Sequence, residues 1–183
     1  AEGQLAALVL RSPHAHARIV AIDVSAAVAL PGVLGVFTAA DLAADGIGTL
    51  PCLTVFPEGQ PLFVPPRHVL AQDRVRFVGE GVALVVAERR AIAMDALELI
   101  AVEYEALPAV VDPVAARAEG APLVWPEAPG NVAYHFWRGN RDAAKAGIAA
   151  APHVVELELV NNRIAAVAMT AAGMAASTSA STS

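Results

Sequence analysis

The 183-residue sequence holds a single cysteine, Cys52. That count excludes an internal disulfide. It also excludes an iron–sulfur cluster ligated by this chain alone, because such clusters take about four cysteines. Cys52 therefore reads as small apolar filler in reducing surroundings. Aromatic residues make up only 5% of the chain, and its 12 lysines and arginines are scattered against 18 acidic residues. With no basic stripe interleaved with aromatics, a nucleic-acid partner is excluded. Long apolar runs are missing too. None reaches the roughly 18–20 residues of a membrane span, and Ala1 to Leu10 show no basic lead-in of a secretory signal. These absences point to a cytoplasmic protein. The opening lacks Met and reads as a strand already under way, so the sequence is expected to start inside a longer protein.

What is present is enough for a core. The chain is 56% hydrophobic. Much of this is alanine, yet Leu, Ile, Val and Phe are plentiful enough to exclude global disorder.

Apolar patterning predicts alternating strands and short helices. Leu5–Leu10 and Ala17–Val24 read as strands. Ser25 is placed to cap one helical turn, which Pro31-Gly32 stops, and Val33–Phe37 is a third strand. Thr38 caps a short helix holding Asp41 and Leu42. Residues 43–72 are rich in Gly and Pro and lose all periodicity. They read as a long surface loop or packing arm, with an extended patch at Leu62–Val64. Arg74–Val78 and Val82–Ala87 are strand-like runs around Gly79-Glu80-Gly81. Arg89–Ile100 carries a helical stripe of Ile92, Ala96, Leu99 and Ile100, and Val102–Glu105 alternates as a strand. After a Pro/Gly/Ala stretch, Val132–Trp137 is strand-like and Asp142–Ala150 helical. His153–Val160 is an alternating strand with Val155, Leu157 and Leu159 on one face. The fold class is α+β.

Few residues suggest chemistry. His14 and His16 stand at i and i+2, but no acidic or cysteine partner is near in sequence, so they read as turn residues rather than zinc ligands. Gly79-Glu80-Gly81 lacks the Lys-Ser/Thr of a phosphate loop. It reads as a tight turn between strands, with Glu80 at its tip a candidate domain contact. Glu103 and Glu105, like Glu156 and Glu158, share a face opposite an apolar one, the pattern of a solvated surface. Ser25 sits in no nucleophile elbow. Trp125 and Trp137 flank the Pro/Gly stretch and are expected to cover a boundary. Taken alone, these residues specify no reaction.

Four stretches, in order, resemble the large subunit of molybdenum hydroxylases, the xanthine dehydrogenase, aldehyde oxidase and carbon monoxide dehydrogenase group. The first runs from Leu10-Arg11-Ser12-Pro13-His14 to Ile19, with Pro31-Gly32-Val33 and Thr38–Leu42 following. The second is Val75-Arg76-Phe77-Val78-Gly79-Glu80 with Val82–Glu88. The third is Ile100–Asp112, containing Val102-Glu103-Tyr104-Glu105. The fourth starts at Gly130-Asn131-Val132 and passes through His153–Glu156 to Asn161-Asn162-Arg163. Three departures stand out. The family commonly has Pro where Gly81 stands, and often Gly-Asp where this chain has Gly139-Asn140. It continues Met-Glu-Pro-Arg where this chain has Met169-Thr170-Ala171.

The resemblance implies an α/β hammerhead domain over residues 1–115, a linker over 116–130, and the incomplete start of a molybdopterin-binding domain over 131–169. Residues 170–183, first Ala/Gly and then Ser/Thr, are expected to be disordered, with a truncation or frameshift near residue 169. In that family the full enzyme hydroxylates aldehydes or N-heterocycles, or oxidises carbon monoxide. It uses the molybdenum cofactor molybdopterin, with FAD and iron–sulfur clusters on partner domains or subunits. The hammerhead domain borders the substrate channel. The family's pterin-binding and catalytic residues match nothing here, so the chain is expected to carry no catalytic, cofactor or metal site of its own. Its expected partners are the remaining large-subunit sequence and the FAD and iron–sulfur subunits. The competing expectation is a stand-alone, non-catalytic binding module on the same scaffold.

Overall fold

A computed structural model describes residues 3–52, 63–136 and 138–159. Leu62 of the expected extended patch, Trp137, Val160 and residues 161–183 lie outside the described residues. Six strands are named: β1 (Ala6–Arg11), β2 (Ala17–Asp23), β3 (Val33–Thr38), β4 (Arg74–Val75), β5 (Gly81–Ala87) and β6 (Ala101–Ala106). Three α-helices lie between them, α1 (Ser25–Val28), α2 (Ala39–Ala44) and α3 (Arg90–Glu98), and α4 (Arg141–Ala150) follows the last strand. The strands form two antiparallel three-stranded sheets, ordered β1-β5-β3 and β4-β2-β6.

β5 is the most apolar strand, and it is bonded along both edges. Its alternation sends Ala83, Val85 and Ala87 into one core, under α1 and α3. Val82 goes into a second core with Ala17, Ala71 and Val75. Val75, Val82 and Val85 are fully buried, worth roughly 1.5–3 kcal/mol each on full burial. The remaining buried positions are mostly alanine, each methyl group contributing about 0.8 kcal/mol. Such a core gains stability by letting backbones approach closely rather than by bulk.

α3 shows this. The sequence stripe of Ile92, Ala96, Leu99 and Ile100 is rotated in the structure. Ala93, Ala96 and Ile100 are buried, Ile92 and Leu97 pack at the margin, and Leu99 is 42% exposed. The small side chain at Ala93 sets the face that meets the sheet. Gly32 makes room on the opposite wall. Its φ is +86°, and an added Cβ would lie 2.6 Å from Ile92 Cδ1.

Capping is mixed. Thr38 and Asp41 form a reciprocal capping box on α2, in which the Thr38 backbone N–H and hydroxyl both donate to Asp41 Oδ2 at 2.7 Å. Those bonds hold the Asp41 carboxyl below its ordinary value. Ser25 is not the cap of α1. It is the first helical residue, and the Asp23 carboxylate accepts from its N–H at 2.9 Å. On α4, Asn140 Oδ1 accepts from Ala143 N–H at 2.9 Å, so asparagine caps this helix as aspartate would.

Other expectations are revised. The strand-like run expected over Arg74–Val78 is only two residues long as β4, and the turn at Gly79 joins it to β5 in the other sheet. Neither residues 132–136 nor residues 153–159 form a named strand. Val155, Leu157 and Leu159 have the right alternation, but no neighbouring strand among the described residues pairs with them, and Val155 is 92% exposed. Alternation selects a face only once a partner strand exists.

Beyond β6 the chain is held mainly by Asn131. Its φ is +55°, a left-handed conformation that asparagine tolerates better than most residues. Its Oδ1 accepts from Val124 N–H at 2.8 Å, and its Nδ2 donates to Ala116 O at 2.8 Å and Pro122 O at 2.9 Å.

Two stability outcomes follow. Gly32→Ala costs about 1–3 kcal/mol, from left-handed strain plus the clash on Ile92, measured by denaturant unfolding. Asn131→Ala loosens residues 116–132 by about 1–3 kcal/mol, read as increased hydrogen exchange there, whereas Asn131→Gly relieves the backbone strain and costs less.

Candidate domain-contact site

The segment Arg76–Gly81 crosses from one sheet to the other. Glu80 N–H donates to Phe77 O at 3.2 Å, closing a turn in which Gly79 has φ +92°. A residue with a Cβ is strained there, which is why glycine occupies it. Three more bonds fix this turn to the end of β1. Gly79 N–H donates to Ser12 O at 2.8 Å, Ser12 N–H to Glu80 O at 2.9 Å, and Arg11 Nη1 to Gly79 O at 2.7 Å. The Glu80 carboxylate faces back and accepts from Arg76 N–H at 2.5 Å. Gly81 O accepts from Ala71 N–H at 2.8 Å. Glu80 is thus a brace of the turn, not its exposed tip.

The exposed tip is apolar. Phe77 is 58% exposed and Val78 64%. Turn tips normally carry polar residues, so two large apolar side chains on a fully braced backbone form a preorganised knuckle.

On the flank of this knuckle Arg76 lies over the ring of Trp125, with Cζ 3.7 Å from the centroid. Phe63 packs on Trp125 with centroids 6.0 Å apart. Burial pulls the Arg76 guanidinium below its ordinary value, while Asp73 opposes that shift. Burial pushes the Asp73 carboxyl up, but the hydrogen bond and charge of Arg74, with the charge of Arg76, outweigh it, and the group sits below normal. Two hollows flank the turn. One of about 650 Å³ includes Arg11, Arg67, Arg76, Trp125 and Glu80 in its walls. The other, about 430 Å³, is lined by His16, Phe77, Val78 and the Pro108–Val111 stretch.

The remaining candidate residues scatter. His14 stacks on Tyr104 with centroids 4.8 Å apart, and His16 Nδ1 bonds to Pro108 O at 2.9 Å. A carbonyl only accepts, so that nitrogen carries the proton. Burial raises the Tyr104 phenol, against a lowering bond with Ser12. Glu103 and Glu105 face outward on β6, with Arg18 Nε donating to Glu105 Oε2 at 2.8 Å. Glu156 and Glu158 are exposed. Among the described residues, no three His, Cys, Asp or Glu side chains converge as a metal site. Sequence reasoning missed Arg76 as a site residue. Its one local signal was the Arg74-Val75-Arg76 alternation, and nothing in the sequence relates it to Trp125.

Comparison with known proteins fits this geometry to a family. Residues 1–108 match the model "Aldehyde oxidase and xanthine dehydrogenase, a/b hammerhead domain". The chain is 46% identical over 115 residues to the carbon monoxide dehydrogenase large chain of Afipia carboxidovorans, covering 63% of this chain and 13% of that protein. It is 41% identical to the nicotine 6-hydroxylase large subunit of Paenarthrobacter nicotinovorans, over 94% of this chain and 20% of the relative. A solved Cu,Mo-containing carbon monoxide dehydrogenase superposes with TM-score 0.67 at 38% identity, covering 84% of this chain and 20% of that one. Quinoline 2-oxidoreductase from Pseudomonas putida 86 superposes with TM-score 0.61 at 48% identity, over 68% and 15%. The chain thus spans a fifth or less of the length of these relatives. The family match spans every strand of both sheets and more than half of the chain, so the chain belongs to the aldehyde oxidase and xanthine dehydrogenase family, with the α/β hammerhead domain at residues 1–108.

Proposed function

We propose that this chain is a structural portion of the large subunit of a molybdopterin-dependent oxidoreductase. The full-length enzyme hydroxylates aldehydes or N-heterocycles, or oxidises carbon monoxide. The observation carrying this reading is 41% identity along 94% of the chain to a large subunit of which it covers only 20%. Residues 1–115 act as the hammerhead domain bordering the substrate channel, residues 116–130 as a linker, and residues 131–169 as the start of the molybdopterin-binding domain. This reading assigns the molybdenum cofactor to other parts of the enzyme and not to the described residues, among which no three His, Cys, Asp or Glu side chains converge. No oxidative step is therefore assigned to them. The molybdenum cofactor, FAD and iron–sulfur clusters are held by the rest of the large subunit and by partner domains or subunits, in the cytoplasm. Among the described residues no helix is long and apolar enough to cross a membrane.

Within that enzyme the Gly79-Glu80-Gly81 turn serves as a domain contact. Its support is the pairing of a braced backbone with an apolar tip. Ordering entropy is already spent on folding, so Phe77 and Val78 can dock at small further cost. No observation favours the stand-alone binding module over this reading.

Metal analysis of the purified chain is expected to find no stoichiometric molybdenum and no dehydrogenase activity. Molybdenum at one atom per chain overturns the assignment. The contact role has its own test. Residues 1–115 are grafted in place of the matching segment of the Afipia carboxidovorans large chain. Val78→Asp leaves the chain's own stability within about 0.5 kcal/mol, as at ordinary surface sites, yet lowers recovery of the assembled graft several-fold. Unchanged assembly removes the turn from the interface.

A further inference from the structure

The hollow of about 650 Å³ beside Arg76 has the size of a small-molecule site. Its walls combine apolar surface from Leu50, Pro65, Val124 and Trp125 with three guanidinium groups, Arg11, Arg67 and Arg76. His68 also lines it. Two carboxylates line it as well, and both are engaged elsewhere. Asp73 accepts from Arg74 Nε at 3.0 Å, and Glu80 accepts from the Arg76 backbone N–H at 2.5 Å.

The arginines are less satisfied. Among the described residues Arg11 bonds a neutral carbonyl, Gly79 O, and no carboxylate pairs with it. Among the described residues the Arg67 side chain has no hydrogen-bond or ion-pair partner. Arg76 is held over Trp125, yet its donors are poorly used. Nη1 reaches Arg74 O only at 3.5 Å, Nη2 stands 3.8 Å from Asp73 Oδ1, and Nε is buried without a partner. The side chain keeps 15% exposure. Nε is closed off, so that exposure falls on other atoms of the side chain, which forms part of the wall of the hollow. In a protein of net charge −6, a cavity with three guanidiniums against two occupied carboxylates is a local reversal of sign. A guanidinium fixed on an indole, with fork donors held only by long contacts, matches a planar acceptor pair.

We propose that this hollow binds a carboxylate carried on an apolar body. The carboxylate meets the Arg76 fork and the charges of Arg11 and Arg67, while the apolar part covers Trp125 and the proline wall. This goes beyond the large-subunit reading and does not rest on it.

The test uses the full chain with Trp137→Phe, which leaves Trp125 as its lone tryptophan and its fluorescence as the readout. Cyclohexanecarboxylate is expected to give a saturable change. The neutral isostere cyclohexanecarboxamide binds at least about tenfold more weakly, and inorganic phosphate likewise, lacking the apolar body. Arg67→Gln and Arg11→Gln, both at exposed positions, each weaken the carboxylate several-fold with unchanged circular dichroism. Arg76→Lys, which keeps charge but loses the fork, weakens it further. If Arg76→Lys unfolds, the two exposed variants decide. Equal binding of acid and amide makes the hollow a plain apolar crevice and overturns the proposal. Phosphate binding as tightly as the carboxylate makes it a bare anion site, and no saturable change with any probe leaves no site; both outcomes also overturn it.

Discussion

The pairing of β1 with β5 is the constraint on which the rest depends. Ala6–Leu10 lie opposite Ala87–Ala83 in unbroken register, and the register then shifts so that Arg11 meets Gly81. That one-residue irregularity falls at Val82, which β1 leaves unmatched. It is where β5 stops serving the helix-covered core and begins serving the second sheet. A bulge bends a strand and re-aims its neighbours. Here it directs Arg11 and Ser12 onto the Gly79-Glu80 backbone, so the turn is a consequence of strand register. Shifting the pairing by one residue would exchange Val82 with Ala83, which are both fully buried, forcing a valine into an alanine's site in one core, leaving a void in the other and breaking all three bonds from the β1 end.

The alanine-rich interior makes the fold depend on backbone spacing. Ala27, Ala83, Ala87, Ala93 and Ala96 are all fully buried around Val85. None brings much area, and each admits the neighbouring backbone close enough for dispersion to count. The same economy explains Gly32, which cannot accept a Cβ without displacing Ile92. Tolerance to substitution is therefore expected to be lowest at the smallest residues, the reverse of a leucine-filled core.

How much of this could be read from the sequence depended on what each signal reports. β1, β2, β3, β5, α3 and β6 were legible because each carries its apolar pattern over at least four consecutive residues. The Thr38–Asp41 cap was legible because its donors and acceptors are three residues apart. The face of α3 was misjudged because periodicity weights Leu99 by hydrophobicity, whereas packing against a close sheet selected Ala93. Ser25 was misjudged as a cap because Asp23, two residues earlier, offers the better acceptor. The turn expected around Gly79 is present, but it joins two sheets rather than two paired strands, for a topological reason. Glycine punctuation marks a turn, but it does not say whether the flanking strands share a sheet. The expected strand at His153–Val160 carries a true alternation that, over its described residues 153–159, has no partner among the described residues. Arg76 and Trp125 were invisible as a pair, since nothing local relates residues so far apart in the chain.

The turn also shows why brace and contact occupy adjacent residues. Glu80, the one charged residue expected at the tip, is turned inward onto Arg76 N–H, and its backbone carbonyl is held by Ser12. Removing that charge from the outer surface is what leaves Phe77 and Val78 as the exposed part. A charged tip would resist dehydration on docking, and a mobile apolar tip would lose entropy on docking. This turn avoids both costs by spending its polar groups on itself. The same economy acts on its other side, where Arg76 is committed to Trp125 by stacking rather than by close ion pairing. Its position is thereby fixed while much of its hydrogen-bonding capacity stays unused. One short segment between two sheets therefore presents an apolar surface on one flank and an underused cation on the other.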